Sequence, residues 1–242
     1  MKSKTITLAN FKGGVGKTTS ALNIAAGLHR KGGKVLLIDI DPQHNLSQAL
    51  DREDPGDMLY QAMRGEGDLV PIQVEEGLDI IPATVKLRRL DVELSTHPAP
   101  GGILGDLLKP LKKKYNWIVI DSPPSLGLLT VNAFFTADSI YTPVEAQYLA
   151  LRGFATLEEE IATLGLKISR VFVTKYDGRK VLHRQALEGI RAALEGRVLS
   201  TVVRENIALA EAPVHGQSIF QYAPNSYGAE DYTGVCNEIS TL

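Results

Sequence analysis

The sequence predicts an α/β fold: a doubly wound, mostly parallel sheet flanked by helices. Three observations lead there. Short apolar runs of strand length alternate with stretches of helical periodicity along the chain. Two of those runs, 34–40 and 117–121, are apolar at nearly every position, as strands buried on both faces of a parallel sheet are. A glycine-rich turn at 13–16 joins the first strand-like run to the first helix-like run, at the edge where open α/β sheets keep their ligands.

At 242 residues the chain lies within the range of single α/β domains, so residues 1–242 are read as one domain able to bury a large core. A hydrophobic content of 44% with 22% charged residues is that of a soluble globular protein and argues against disorder. No apolar run approaches the ~18 residues that cross a bilayer. Met1-Lys2-Ser3-Lys4 leads straight into a strand, so a cytoplasmic protein without a membrane partner is expected. The single cysteine, Cys236, excludes an internal disulfide and a Cys-rich metal cluster supplied by one chain. A net charge of −2 gives no global attraction to nucleic acid, so any such binding needs a local patch.

In chain order, Ile6 and Leu8 belong to the first strand, and Ala21, Leu22, Ala25, Ala26 and Leu28 recur at helical spacing after Lys17. Between them stands Lys12-Gly13-Gly14-Val15-Gly16-Lys17-Thr18. Its glycines let backbone N–H groups turn inward as an anion nest on the positive end of a helix. Lys17 is placed to neutralise β/γ-phosphate and the Thr18 hydroxyl to ligate Mg²⁺. The usual Walker A pattern wants glycine where Phe11 stands, so this loop is a variant with a second lysine, Lys12, at its start.

Gly32-Gly33 stops the helix, and the run 34–40 carries the chain to Asp41-Pro42-Gln43 at a strand's C-terminal end. A carboxylate there can orient attacking water or sit in the outer shell of magnesium; a turn or helix-cap aspartate before proline is the other reading. Residues 51–77, rich in Gly, Asp, Glu and Arg, read as a surface connection with a short helix at 58–63. Residues 78–81 form a short strand, and 103–111 a helix despite Pro110. Trp117-Ile118-Val119-Ile120-Asp121 is a second strand ending in a carboxylate, where Asp121 can hold Mg²⁺ through water. Ser122-Pro123-Pro124-Ser125 then forms a stiff turn of the kind that reports on a γ-phosphate. Strands follow at 139–144, 171–174 and 198–203. Helices are expected around Phe154, Leu157, Ile161 and Leu164, between 180 and 194, and from Tyr227 onward. In the 180–194 helix Lys180, Arg184 and Arg191 fall within ~40° on the wheel, an edge that either meets phosphate backbone or is ordinary solvated charge.

Taken together, residues 12–19, Asp39-Ile40-Asp41-Pro42-Gln43, Ile120-Asp121-Ser122-Pro123-Pro124, Thr174-Lys175-Tyr176-Asp177 and Glu211-Ala212-Pro213 resemble the ParA-type partition ATPases, in the deviant Walker A branch of P-loop NTPases. The resemblance runs nearly end to end. It implies a Mg²⁺-dependent ATP hydrolase that forms a homodimer face to face over two ATP molecules, Lys12 reaching the phosphates bound by the partner subunit. It implies catalytic roles for Lys12, Lys17 and Asp41, and nucleotide binding by Gly13, Gly14, Val15, Gly16, Lys17, Thr18 and Thr19, with Thr174 near the adenine. Thr18, Asp121 through water and Asp41 in the outer shell would serve the metal. Asp41, Pro42, Gln43, Ser122 and Pro123 would form the switches. It further implies non-specific DNA binding by the ATP dimer, a nucleoid-associated location in the cytoplasm, release after hydrolysis stimulated by a ParB-type or other cargo adaptor, and plasmid or chromosome as cargo. Relatives carry arginines where Glu205 and Ala208 stand here and basic residues at Asn225 and Tyr227, so Lys180, Arg184, Arg191 and Arg204 are the DNA candidates. Glu145 and Gln147 exchange a Gln and a Glu often seen in relatives.

Rival readings share the fold. A ParA-like ATPase that positions a protein cluster or organelle keeps the chemistry and changes the partner. A MinD-like membrane cycle needs a C-terminal amphipathic anchor, and 235–242 has neither a basic face nor a bulky apolar stripe. An iron-protein reductase needs paired cluster cysteines from each subunit. A small-molecule kinase or ligase needs an acceptor pocket that nothing in the sequence marks.

Overall fold

The computed structural model describes residues 3–54, 56–147 and 150–242. Its strands are β1 (Lys4–Leu8), β2 (Val35–Asp39), β3 (Ile72–Glu75), β4 (Leu78–Ile81), β5 (Trp117–Asp121), β6 (Ser139–Glu145) and β7 (Arg170–Thr174). They form one sheet in the order β3-β4-β2-β5-β1-β6-β7, parallel except for the β3–β4 pair. The helices are α1 (Lys17–Arg30), α2 (Asn45–Ala49), α3 (Met58–Met63), α4 (Leu90–Glu93), α5 (Ile103–Leu108), α6 (Leu128–Thr136), α7 (Ala150–Thr163), α8 (Val181–Ala193), α9 (Ala208–Glu211), α10 (Ile219–Tyr222) and α11 (Tyr227–Thr241).

Both faces of the sheet are covered. In β2, Leu37 packs with α1 and α11 through Leu22, Ala25 and Tyr232, whereas Leu36 and Ile38 pack on the opposite side with Leu59, Leu104 and Ala133 of α3, α5 and α6. That period-2 division of a wholly apolar run is why the strand shows no polar face in the sequence. A third cluster places Phe154, Leu157 and Ile161 of α7 with Leu187 and Ile190 of α8 over Val171 and Val173.

From β1 the chain builds β2 to β5 on one side and β6 and β7 on the other, so β1 lies where the strand order reverses. Crevices at such reversal points hold ligands in open α/β sheets. Register sets the chemistry: Asp121 of β5 lies opposite Leu8 of β1 and opposite Asp39 of β2. Two carboxylates therefore stand side by side next to the glycine turn.

Two expectations change. Residues 51–77 are more than a connection: α3 buries Leu59, Ala62 and Met63, and β3 adds an antiparallel edge strand through the turn at Gly77, whose φ of 87° favours glycine. Residues 198–203 follow β7 without forming a strand. Leu199 and Val203 donate N–H groups to Val171 and Val173, but the Ser200 and Thr201 N–H groups turn away to the Glu238 carboxylate of α11. That carboxylate outcompetes the ladder as an acceptor.

The long helices are fixed by a close approach. A Cβ at Gly27 of α1 would lie 2.5 Å from Cys236 Sγ on α11 and 3.2 Å from the Phe220 ring. Gly27→Ala gains ~1 kcal/mol of helix propensity against ~1–3 kcal/mol of overpacking. We expect a net loss near ~1 kcal/mol, a melting temperature lower by ~2–4 °C in calorimetry, and partial recovery when Cys236→Ala is added.

Candidate nucleotide site

The loop between β1 and α1 owes its shape to two glycines. Gly14 and Gly16 have φ of 76° and 94°, and Gly16 caps α1. At these values a side chain would be strained. A Cβ on Gly13 would meet nothing within 4 Å, so neither a positive φ nor a neighbour within the subunit demands glycine there. Asn10 anchors the loop: its Nδ2 donates to the Pro143 carbonyl at 2.8 Å and its Oδ1 accepts the Lys12 N–H at 2.9 Å.

The two loop lysines differ. Lys17 is buried, and its Nζ donates to the Asn10 carbonyl at 2.9 Å and the Lys12 carbonyl at 3.4 Å. Burial lowers its pKa, and Asp121 and Asp41 offset part of that. A buried ammonium held by neutral carbonyls alone can exchange them for phosphate oxygens. The Lys12 side chain is 52% exposed and turns from the nest to Glu145 and to Gln147 Oε1 at 2.9 Å.

In front of the nest is an oxygen cluster. Thr18 Oγ1 donates to Asp121 Oδ2 at 2.7 Å, while Asp121 Oδ1 is buried with no hydrogen-bond partner. Burial first, and then the Asp39 carboxylate, raise the Asp121 pKa. A hydroxyl beside an unsatisfied buried carboxylate oxygen fits a hard divalent cation such as Mg²⁺, which takes oxygen ligands and would satisfy that oxygen. Among the described residues there is no cluster of three or more His, Cys, Asp or Glu that could hold a metal ion.

Asp39, which sequence reading quoted without a role, organises the segment after β2. Its Oδ1 accepts the Asp41 N–H at 3.1 Å, and its Oδ2 accepts the Ser47 N–H at 2.9 Å and hydroxyl at 2.7 Å. Burial raises its pKa to about 6. Asp41 in turn accepts the Gln43 N–H at 2.9 Å through Oδ1. Asp41, Pro42 and Gln43 face Pro123, Pro124 and Ser125 across a cavity of about 280 Å³. Ser122 stands behind it, its hydroxyl tied to the Leu8 carbonyl at 2.7 Å. Arg88 also lines this cavity. It makes no ion pair or hydrogen bond among the described residues, and no motif marked it in the sequence.

Thr174 lies on the other side of the nest. Its hydroxyl donates to the Val15 carbonyl at 2.9 Å, binding the end of β7 to the buried Val15. A cavity of about 350 Å³ opens here, lined by Gly16, Thr19, Thr174, Asn206, Ile207 and Leu209 among others. Its size and its place at the helix N-terminus suit a purine base joined to phosphates in the nest.

The four basic candidates do not form one free patch. Lys180 pairs with Glu205 at 3.2 Å, and Arg204 is pinned by Asp231 and Glu230 and lies 4.1 Å over the Tyr227 ring. Arg184 bonds to the carbonyls of Gly178 and Arg179, and Arg191 to that of Ser200. Neither pairs with a carboxylate among the described residues.

A nest with a buried ammonium, opening on an oxygen-lined cation site and a base-sized cavity, defines a P-loop nucleotide-binding protein. A family model described as an AAA domain matches residues 3–172. Over 98% of this chain and 96% of the relative, the sequence is 41% identical to the chromosome-partitioning ATPase Soj of Thermus thermophilus. Among solved structures, a putative plasmid partition protein from Borrelia burgdorferi bound to AMPPNP superposes with a TM-score of 0.88, 25% identity and full coverage of both chains. Cobyrinic acid a,c-diamide synthase from Mycobacterium smegmatis, with bound ADP and magnesium, does so with 0.86 and 26% identity over 98% of this chain and 94% of its own. The chain belongs to the ParA/Soj family of partition ATPases. Among the described residues no helix is long and apolar enough to cross a membrane.

Proposed function

We propose that this protein is a nucleotide-gated partition ATPase: ATP and Mg²⁺ bring two copies together, the dimer holds non-specific DNA, and hydrolysis stimulated by a ParB-type partner releases it. The observation that carries this reading is the division of labour between the two loop lysines. Lys17 is buried in its own nest, whereas Lys12 stands half exposed on the loop's outer side. A cation in that position adds little to phosphate binding within its own subunit and would serve phosphates presented by a second once it leaves Glu145.

The residues divide the work as follows. The nest and Lys17 bind the phosphates, Thr174 and the cavity beside it position the base, and Thr18 and Asp121 would hold Mg²⁺. Held by Thr18 and Asp121, a magnesium ion would supply positive charge to offset that of the phosphates. Asp41, fixed from behind by Asp39, orients the attacking water. Pro42, Gln43 and Pro123 border the same cavity and move with the γ-phosphate state.

For DNA, Lys180 and Arg204 are neutralised by their own carboxylate partners, so the reading narrows to Arg184 and Arg191, two turns apart on α8. The test is retention of duplex DNA by protein loaded with ATP or with ADP, at several salt concentrations. Retention in ATP alone is expected. Arg184→Glu with Arg191→Glu should lower affinity at least ~tenfold and reduce the log–log salt slope by ~2, because each phosphate contact contributes ~0.9 to that slope.

A second reading, a ParA-like ATPase that positions a protein cluster or organelle, is favoured by the same neutralisation of Lys180 and Arg204. Equal, negligible DNA retention in both nucleotide states would select it. It leaves the ATP-dependent dimer in place.

A further inference from the structure

Glu145 ends β6, beside the strand that feeds the phosphate loop, and its carboxylate is only 9% exposed. Two ammonium groups converge on it from different elements. Lys12 Nζ meets Oε2, and Lys175 Nζ meets Oε1 at 2.8 Å. Burial works to raise this carboxyl's pKa, and the hydrogen bonds from Lys12 and then Lys175 outweigh it, leaving the group below the usual carboxylate range. Lys175 adopts a left-handed φ of 51° and lines the base cavity. For a residue other than glycine that conformation has a cost, so surrounding contacts hold it. Gln147 supplies Lys12 with a second acceptor. Lys12 is thus docked on its own subunit, away from its own nest.

We propose that Glu145 is a positioning residue for Lys12: in the ligand-free subunit it holds the ammonium at the end of β6, and Lys12 crosses to a partner's nucleotide only by exchanging this carboxylate for phosphate. The inference rests on the cross-subunit role of Lys12 proposed above. It gives that role a threshold. A single carboxylate facing a half-exposed lysine biases the equilibrium modestly, by up to about fivefold. A triphosphate with more charge displaces it. Without a nucleotide across the interface, Lys12 keeps its intramolecular partner and the encounter of two subunits gains nothing from it.

The test uses the full chain with Glu145→Gln, which keeps shape and removes charge, alone and with Lys12→Ala. In nucleotide-free protein, the rate at which a small amine-reactive ester labels Lys12, followed by peptide mass spectrometry, should rise several-fold in Glu145→Gln while exposed Lys109 labels as before. With a slowly hydrolysed ATP analogue and Mg²⁺, Glu145→Gln should strengthen dimerisation about fivefold in sedimentation. The same change on the Lys12→Ala background should have no effect. An unchanged Lys12 labelling rate, or a dimerisation effect equal in both backgrounds, overturns the inference. If Lys12→Ala weakens the dimer but Glu145→Gln leaves it as in wild type, the holding role of Glu145 falls alone. If Lys12→Ala dimerises like wild type, the cross-subunit role falls and this inference with it.

Discussion

Lys17→Ala is expected to abolish measurable ATP hydrolysis, a loss of at least ~10²–10³ fold, the scale seen when a pre-organised electrostatic contact to a developing charge is removed. The ammonium is buried and bonded only to two backbone carbonyls. Its desolvation is therefore met before nucleotide arrives, and little reorganisation is needed when phosphate oxygens replace the carbonyls. Nucleotide affinity should fall as well, because the charge neutralises phosphate in the ground state too. The fold should survive: the two carbonyls lose a donor, at ~1–3 kcal/mol each if left dry, but water can enter the open nest, and the burial of a lysine is relieved. Titration with a fluorescent ATP analogue beside a steady-state hydrolysis assay separates binding from turnover.

Asp41→Ala should behave differently. Asp41 does not line the base cavity, and it lies across a cavity from the turn after β5. In the proposed cycle its carboxylate orients attacking water, so its loss should lower the turnover rate by ~10²–10⁴ while leaving ATP affinity within a few-fold of wild type. On the proposed cycle the expected consequence is a trapped state: ATP-bound dimers that persist because hydrolysis no longer ends them. Single-turnover kinetics should show normal ATP binding followed by a missing hydrolysis phase. Part of any effect could be local, because Asp41 also accepts the Gln43 N–H. Asp41→Asn keeps that acceptor and should lose turnover equally, which separates chemistry from loop geometry.

Much of this arrangement was legible in the sequence because its signals are local. The glycines at 14 and 16 announce positive φ, and the apolar runs ending in Asp39 and Asp121 announce buried parallel strands, whose adjacency only the register of β2 and β5 reveals. Thr174 lines the cavity beside the nest, where the proposed function puts the base. What was hidden is of other kinds. Helix α6, Leu128–Thr136, buries polar Thr130, Asn132 and Thr136 and exposes Phe135, so it lacks the amphipathic period that marks a surface helix. Helix α4 is one turn long and has no period at all. Segment 198–203 has a strand's composition, and only the Glu238 carboxylate, nearly forty residues later, shows why its ladder is broken. The pairing of Lys180 with Glu205 and of Arg204 with Asp231 depends on tertiary approach, which no helical wheel displays. The Glu145 and Gln147 exchange was visible as a difference, but its consequence needed the positions of Lys12 and Lys175.

The account turns on one lysine serving a second subunit. Sedimentation velocity of wild type and Lys12→Ala, each with ADP or with a slowly hydrolysed ATP analogue and Mg²⁺, tests this most directly. Wild type should be monomeric with ADP and dimeric with the analogue, and Lys12→Ala should dimerise far more weakly with the analogue while binding nucleotide with nearly unchanged affinity. A Lys12→Ala protein that dimerises with the analogue as wild type does would contradict the account.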